Sequence, residues 1–167
     1  MNILTLKHFL RVFFAFFLVW AAVFYFSTRY KISLPSSSDS CLLADFYVID
    51  LWDKDFEKGD LVAFGFPHSS NPHYEEDTPF IKQVAAVGGD WVDVTPEFTQ
   101  INDEKPRYLN MFYALKRLKL PHEAVTKKIQ VPQGTFFGMG ETQLSYDSRY
   151  WGVIPEAKVI GKVYAIL

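Results

Sequence analysis

The sequence is poor in cysteine, histidine clusters and basic blocks, and each shortage removes a class of function. Its single cysteine, Cys41, cannot form a disulfide within the chain, so cysteine content does not indicate a redox compartment. His68, His73 and His122 show no metal-ligand spacing with carboxylates, so we predict no metal and no cofactor. A net charge of −2 without basic-aromatic interleaving excludes a nucleic-acid surface. A length of 167 residues favours one domain.

A long apolar run near the N-terminus is the first positive signal. No charged residue occurs from Val12 to Thr28, and a membrane span needs about 20 residues. We predict a transmembrane anchor over residues 9–28, with the side chain of Arg11 reaching back to the lipid headgroups. The sequence Phe24-Tyr25-Phe26 lacks the small residues of a leader cleavage site, which favours a retained anchor over a cleaved signal peptide.

The charges that flank this run bear on its orientation. Lys7, His8 and Arg11 precede it, while Arg29 and Lys31 follow it, so the positive charges are nearly balanced. A short, positively charged N-terminal tail usually stays in the cytoplasm. We therefore expect a single-pass protein of the inner (plasma) membrane, with residues from about 30 onward on the periplasmic or extracytoplasmic side.

The remainder of the chain shows mainly strand patterns. We predict strands over residues 46–52, 61–66, 79–87, 91–94, 129–131, 135–139 and 158–167. The strands at 79–87 and 91–94 are expected to pair through the turn Gly88-Gly89-Asp90. Residues 96–128 are charged and contain a short amphipathic helix pattern over 108–120, which predicts an insertion or lid. By composition alone, the serine-rich residues 34–41 would be a flexible linker.

Two segments carry candidate chemistry. Lys82 interrupts a largely apolar run just before a Gly-Gly-Asp turn, which makes it a candidate for burial. Burial favours the neutral form of an amine, and a neutral lysine can act as a general base near neutral pH. Residues 138–152 form a dense polar loop between two strand-like segments. The two segments together indicate Ser/Lys hydrolysis, although a lysine in a strand most often faces solvent.

These segments resemble the motifs of the type I signal (leader) peptidases, which are membrane-anchored Ser/Lys proteases. Residues 147–152, Asp-Ser-Arg-Tyr-Trp-Gly, are close to the last motif of that family, and residues 82–90 are similar to its lysine motif. Residues 58–62 resemble the short motif between nucleophile and lysine, and residues 137–141 stand where the family usually has Gly-Asp-Asn. The small size, and a lysine motif without its usual arginine, resemble the conjugative-transfer TraF-like branch, whose members mature pilin precursors.

The nucleophile segment departs from the family pattern. The family has Ser-x-Ser-Met-x-Pro, or Ser-x-Pro in the conjugative branch, whereas this chain has Ser-Asp-Ser-Cys-Leu-Leu at residues 38–43. Aligning Ser40 with the nucleophile places Ser38 at the auxiliary hydroxyl of the oxyanion hole and replaces the proline by Leu43. Alternatively, Cys41 is the nucleophile of a Cys/Lys enzyme, and Ser38 is a third candidate.

The resemblance also implies roles and a fold. Lys82 would be the general base, Ser145 would orient its amine, and Asp147 and Arg149 would form a supporting ion pair. The implied fold is mainly β: a transmembrane helix, then a signal-peptidase-like antiparallel β catalytic domain over residues 29–167. The partly helical insertion at about 96–128 belongs to that domain.

The function that follows is that of a membrane-bound serine endopeptidase, which removes the leader of an exported precursor. A conjugative pilin is one candidate precursor, and membrane lipid and other conjugative-transfer proteins are candidate partners. Two alternatives stay open. The missing proline at Leu43 favours a non-catalytic component of a transfer or secretion apparatus. A transpeptidase that cyclises pilin would share the same acylation step.

Overall fold

A 27-residue helix begins the protein. The structure, a computed structural model, describes residues 3–34, 41–44, 46–69, 71 and 73–166. Helix α1 spans Ile3–Arg29, and its Lys7–Arg29 part is long and apolar enough to cross a membrane. Its large apolar side chains between residues 9 and 26 are at least half exposed, and only the C-terminal end of the helix, at Tyr25 and Arg29, contacts the rest of the protein that the structure describes. Burial of these side chains therefore requires lipid, which fits a membrane-anchored protein.

The rest of the described chain is mainly antiparallel β-structure, which confirms the predicted fold class. Ten strands are present: β1 Tyr30–Ser33, β2 Phe46–Asp50, β3 Leu61–Gly65, β4 Pro79–Val87, β5 Trp91–Val94, β6 Thr99–Ile101, β7 Lys127–Gln130, β8 Thr135–Met139, β9 Ile154–Pro155 and β10 Val159–Ile166. Seven form one sheet in the order β1-β2-β10-β3-β4-β8-β9, and three form a second sheet in the order β6-β5-β7. Helices α2 Phe112–Leu118 and α3 Ser148–Trp151 complete the fold with two short 3-10 turns.

The expected pairing of β4 with β5 is wrong. The turn at Gly88-Gly89-Asp90 joins them, but β4 pairs with β3 and β8, whereas β5 pairs with β6 and β7. The backbone groups that a hairpin would use are already bonded. Val84 exchanges hydrogen bonds with the turn at residues 59–60, and the Val87 N–H donates to the Asp90 carboxylate. The chain therefore leaves the first sheet at this turn and starts the second.

The insertion at residues 96–128 shares its core with the main sheet. Helix α2 lies within the predicted helical stretch 108–120. The apolar residues at helical spacing in that stretch are Leu109, Phe112 and Leu115, and of these Leu115 is buried. Leu109 is partly buried and Phe112 is exposed. Leu115 belongs to an apolar cluster that includes Ala86 of β4 and Phe137 of β8. Apolar burial thus fixes α2 against the strands that carry the candidate chemistry.

Candidate active site

Strand β4 places Lys82 inside the sheet. Lys82 pairs with Val62 of β3, and only 1% of its surface is exposed. Its side chain passes close to the backbone of β8, because a Cβ on Gly138 would lie 3.2 Å from Lys82 Cβ. The Lys82 Nζ atom also lies 5.7 Å from the centroid of the Phe80 ring. The amine predicted to be buried is therefore enclosed by strand backbone and an aromatic ring.

A serine from the polar loop meets this amine. The Lys82 Nζ donates a hydrogen bond of 2.9 Å to Ser145 Oγ, and Ser145 is fully buried. Sixty-three residues separate the two in the chain. A hydrogen bond away from bulk water fixes the direction of the amine lone pair when the lysine is neutral, which is the geometry that a general base needs.

A buried ion pair lies beside this contact. The Arg149 Nε donates to Asp147 Oδ1 at 2.8 Å, and its Nη2 donates to Oδ2 at 2.8 Å. Neither side chain is exposed. Burial alone would raise the pKa of Asp147, but the adjacent guanidinium and the Gly140 N–H that donates to Oδ2 outweigh it, so that pKa lies below its usual range. The pKa of Arg149 is raised by the same carboxylate against the effect of burial.

The remaining donors of Arg149 tie neighbouring segments together. Its Nη1 donates to the Leu109 carbonyl at 2.9 Å, and its Nη2 also reaches the Ser145 carbonyl at 3.3 Å. Leu109 lies in the segment that leads into α2, whereas Ser145 carries the hydroxyl that meets Lys82. One guanidinium therefore fixes the polar loop and the insertion relative to each other.

The candidate nucleophile segment approaches from the other side. The Glu141 N–H donates to the Cys41 carbonyl at 2.8 Å, and the Leu43 N–H donates to the Glu141 carboxylate at 2.9 Å. Gly140 allows this approach, because a Cβ there would lie 2.6 Å from Ser145 Cβ and 2.8 Å from the Cys41 carbonyl oxygen. The residues that directly follow Ser40 thus run beside the Lys82–Ser145 contact.

The structure brings together Lys82, Ser145, Asp147, Arg149 and the backbone of Cys41. Ser38 and Ser40 lie outside the described residues. Cys41 itself is half-buried.

Two residues that hold the site were not identified from the sequence. Gly140 and Glu141 hold the segment after Ser40 against the polar loop. The signal that pointed to them was their place in the stretch where type I signal peptidases usually have Gly-Asp-Asn. A sequence pattern does not show which distant backbone groups such a turn will bind.

A family model matches nearly the whole chain. The family model described as "Signal peptidase, peptidase S26" matches residues 5–167. The chain is 24% identical to signal peptidase I of Aquifex aeolicus (strain VF5), over 90% of this chain and 80% of that protein. It is 28% identical to signal peptidase IB of Staphylococcus aureus (strain Mu50 / ATCC 700699), over 64% of this chain and 58% of that protein. A crystal structure of a signal peptidase I from Enterococcus faecalis V583 matches with a TM-score of 0.41 and 24% identity, over 66% of this chain and 97% of that one.

Proposed function

Because the chain belongs to the signal peptidase family, peptidase S26, we propose that it is a membrane-bound endopeptidase that removes the leader of an exported precursor protein by Ser/Lys acyl-enzyme catalysis. Signal peptidase I is a family of serine endopeptidases, and exported precursors are its substrates. The observation that carries the mechanism is the buried 2.9 Å hydrogen bond between Lys82 and Ser145. A lysine amine held in this way is suited to accept a proton from a neighbouring hydroxyl.

The proposed steps use Ser40 as the nucleophile. Ser40 Oγ attacks the carbonyl carbon of the scissile bond while the neutral Lys82 amine takes the hydroxyl proton. The C–N bond then breaks, the Lys82 ammonium returns the proton to the leaving amine, and an ester joins the leader to Ser40. Water, deprotonated by Lys82, hydrolyses that ester and releases the leader.

The oxyanion of the tetrahedral intermediate needs hydrogen-bond donors. The proposed donors are the Ser40 N–H and the Ser38 hydroxyl, and loss of one such donor typically costs roughly 10²–10³ in rate. Asp147 and Arg149 are proposed to support the site without reacting. Their charged groups form hydrogen bonds with each other, and the Arg149 guanidinium also donates to the backbone of the polar loop.

Cys41 is the alternative nucleophile. Its backbone carbonyl accepts from the Glu141 N–H beside Ser145, so residue 41 lies close to the proposed base. A thiol at this position would give a Cys/Lys enzyme with the same order of steps. Ser40 is preferred because its alignment keeps both serines of the longer family pattern.

The substrate is proposed to bind as an added strand beside β4. Strand β3 pairs with residues 79–83 of β4, whereas β8 pairs only with residues 83–87. Among the described residues, no strand pairs with residues 79–82 on the side opposite β3. An extended peptide can complete the sheet there and pass in front of Lys82. Small residues such as Ala would precede the cleaved bond.

The anchor and domain boundaries complete the proposal. We propose that residues 9–28 form the membrane anchor and residues 29–167 the catalytic domain on the periplasmic or extracytoplasmic side. Trp52 is 59% exposed and makes an edge contact of 5.5 Å with Tyr25 near the end of α1, which supports its proposed contact with the bilayer. Phe46, which is half-buried, is proposed to dip into the bilayer together with Trp52. Unchanged liposome binding of an anchor-free protein after replacement of both would contradict this membrane contact.

The finer assignment is the conjugative TraF-like branch with a pilin precursor as substrate. Its support is the small size and the lysine motif without arginine. Leu43, in place of the family proline, supports the alternative of a non-catalytic component in a transfer or secretion apparatus. Pilin cyclisation would follow if an amine of the substrate replaced water in the second step.

The test is cleavage of candidate exported precursors, pilins included, by the full-length protein, with mass spectrometry of the products. Wild type is compared with Ser40→Ala, Cys41→Ala and Lys82→Ala. We expect cleavage to be lost in Ser40→Ala and Lys82→Ala and kept in Cys41→Ala. Loss in Cys41→Ala with retention in Ser40→Ala would move the nucleophile by one residue. No cleavage by the wild type across the panel would favour the non-catalytic alternative, and a product 18 Da lighter than the linear one would indicate cyclisation.

A further inference from the structure

Positive charge is concentrated in the insertion. Residues 105–128 contain seven lysines and arginines and one acid, Glu123, in a chain whose net charge is −2. Helix α2 contributes Lys116 and Arg117, and Lys119 follows as its C-cap. These three cations at α2 are exposed, and exposed positive charge attracts anionic ligands.

A cavity of about 620 Å³ opens between α2 and the polar loop. Helix α2 supplies Tyr113 and Arg117 to its wall, and the loop supplies Ser145, Tyr146 and Tyr150. No acidic side chain is among the described residues that line it. The cavity wall therefore contains one arginine, one histidine (His73) and several tyrosine rings with their hydroxyl groups.

The aromatic wall of the cavity is packed against the strand of Lys82. Tyr146 stacks on Tyr74 with 5.7 Å between ring centroids, and Tyr74 meets Phe80 of β4 edge-on at 4.9 Å. The Tyr146 hydroxyl also accepts a 2.8 Å hydrogen bond from Asn71. Rings held from both sides lose little conformational entropy when a peptide binds against them.

Arg117 is available to a ligand. Its side chain is exposed, and no ion pair or hydrogen bond joins it to another residue in the described part of the chain. A guanidinium can pair with a carboxylate through two parallel hydrogen bonds. Ser145, whose buried hydroxyl accepts from Lys82, belongs to the loop that forms one wall of the cavity, so the cavity adjoins the loop of the proposed active site.

We propose that this cavity is a subsite for an acidic residue of the precursor near the cleaved bond, and that Arg117 determines this specificity. The inference rests on the proposed function, because it takes the precursor as the ligand. Anionic lipid is the competing ligand, and the position of α2 disfavours it. The membrane helix enters at β1, whereas α2 packs on β4 and β8, and β4 is four strands away, or about 19 Å.

The experiment measures charge preference with the full-length protein in phosphatidylcholine nanodiscs. A peptide with small residues before the cleaved bond carries Glu, Gln or Lys in turn at each of the four positions on either side. Wild type is compared with Arg117→Glu. Lys116→Glu is the matched control, because it makes the same charge change on α2 outside the cavity. Binding of the same peptides to Lys82→Ala, followed by fluorescence anisotropy, gives a readout that does not need cleavage.

We expect the wild type and Lys116→Glu to cleave the Glu peptide about five- to tenfold faster than the Lys peptide, in kcat/KM, at one or two positions. Arg117→Glu should reverse that order, and raising the salt concentration should weaken the preference in each protein. Binding to Lys82→Ala should show the same preference for Glu.

Two results would overturn the subsite: equal cleavage and binding of acidic and basic peptides, or a preference for acid that survives in Arg117→Glu. A third would be a change in binding to phosphatidylglycerol vesicles in Arg117→Glu with the peptide preference unaltered, which would make α2 a lipid site. Acid-dependent binding without any cleavage would support the subsite while counting against the proposed peptidase function.

Discussion

Two Arg–Asp pairs of similar geometry occupy two regions of the protein. At the junction of α1 with the sheet, Arg29 donates to Asp50 through Nε at 3.0 Å and Nη2 at 2.7 Å. At the candidate active site, Arg149 donates to Asp147 through two nitrogens at 2.8 Å. The side chain of Arg29 is 31% exposed although that of its partner Asp50 is only 4% exposed, whereas both side chains of the second pair are fully buried.

Because the two Arg–Asp pairs differ in burial, we assign them different roles. Water or lipid headgroups can replace a partner of Arg29, whose cation also lies over the Trp52 ring at 5.6 Å. No solvent can replace a partner of Arg149, so its pair, once broken, leaves an uncompensated buried charge. The partly exposed pair joins α1 to the sheet, and the buried pair holds the loop that carries Ser145.

The largest effect on activity is expected from removing the buried amine of Lys82, beside the buried ion pair. Lys82→Met keeps the side-chain volume but removes the proposed base, and we expect cleavage to fall by roughly 10³-fold with the fold intact. Cleavage rates by mass spectrometry and unfolding followed by tryptophan fluorescence measure the two effects. Lys54→Met, which changes an exposed lysine, is the control and should cleave as wild type does. A variant that keeps a tenth of wild-type activity would exclude Lys82 as the base.

The two ion pairs can be compared directly by Asp147→Asn and Asp50→Asn. Asp147→Asn should reduce the free energy of unfolding by about 3–5 kcal/mol, because Arg149 stays buried without its anion. Asp50→Asn should cost clearly less. Urea unfolding in detergent micelles measures both, and equal losses would contradict the role assigned to burial.

The pH dependence of this loss has a defined sign. Because the pKa of Asp147 is lowered in the folded state, its stabilisation is complete above the ordinary carboxyl pKa of about 4 and is lost as pH falls through the lower folded-state value. The difference in unfolding free energy between wild type and Asp147→Asn should therefore be constant from about pH 8 to 5 and shrink below about pH 4.

A second property of the buried region is that the backbone at Gly140 lies very close to Ser145 and to the Cys41 carbonyl. Gly140→Ala would place a Cβ against Ser145 and the Cys41 carbonyl, displacing one of them. Displacements near 1 Å can cost about 10²-fold in rate, and we expect a loss of that order in kcat/KM. Gly134→Ala is the control: its positive φ of 75° should reduce stability, but nothing lies within 4 Å of the new Cβ, so activity should persist. Full activity in Gly140→Ala would show that this contact does not position the site.

The smallest effect on activity is expected at the junction. Asp50→Asn should leave cleavage of a soluble peptide unchanged and reduce cleavage of a membrane-anchored precursor two- to fivefold, roughly, because the loosened domain samples more orientations relative to the membrane. The ratio of the two rates is the measurement, with exposed Asp55→Asn as the control. Equal reduction on both substrates would indicate that the junction affects the site itself.

The elements with a strong local pattern of apolar residues were predicted from the sequence, whereas three strands without such a pattern were not. The apolar run that becomes α1 and the long strand β4 have clear patterns, and both are present. Strands β1, β6 and β9 are two to four residues long and were missed, whereas β5, also of four residues, was predicted because valines alternate in Trp-Val-Asp-Val. The partners of β5 could not be predicted, because pairing depended on which backbone groups of β4 were already bonded.

By itself, the sequence determined the candidate membrane span, the strand around Lys82 and the polar loop, since each follows from the local order of apolar and polar residues. Only the tertiary structure decided that Ser145 meets Lys82, that Gly140 and Glu141 hold the segment after Ser40, and that α2 forms a cavity with the loop. These contacts join residues far apart in the chain. They depend on sheet pairing and on which polar groups lose their water, and both are properties of the packed molecule as a whole.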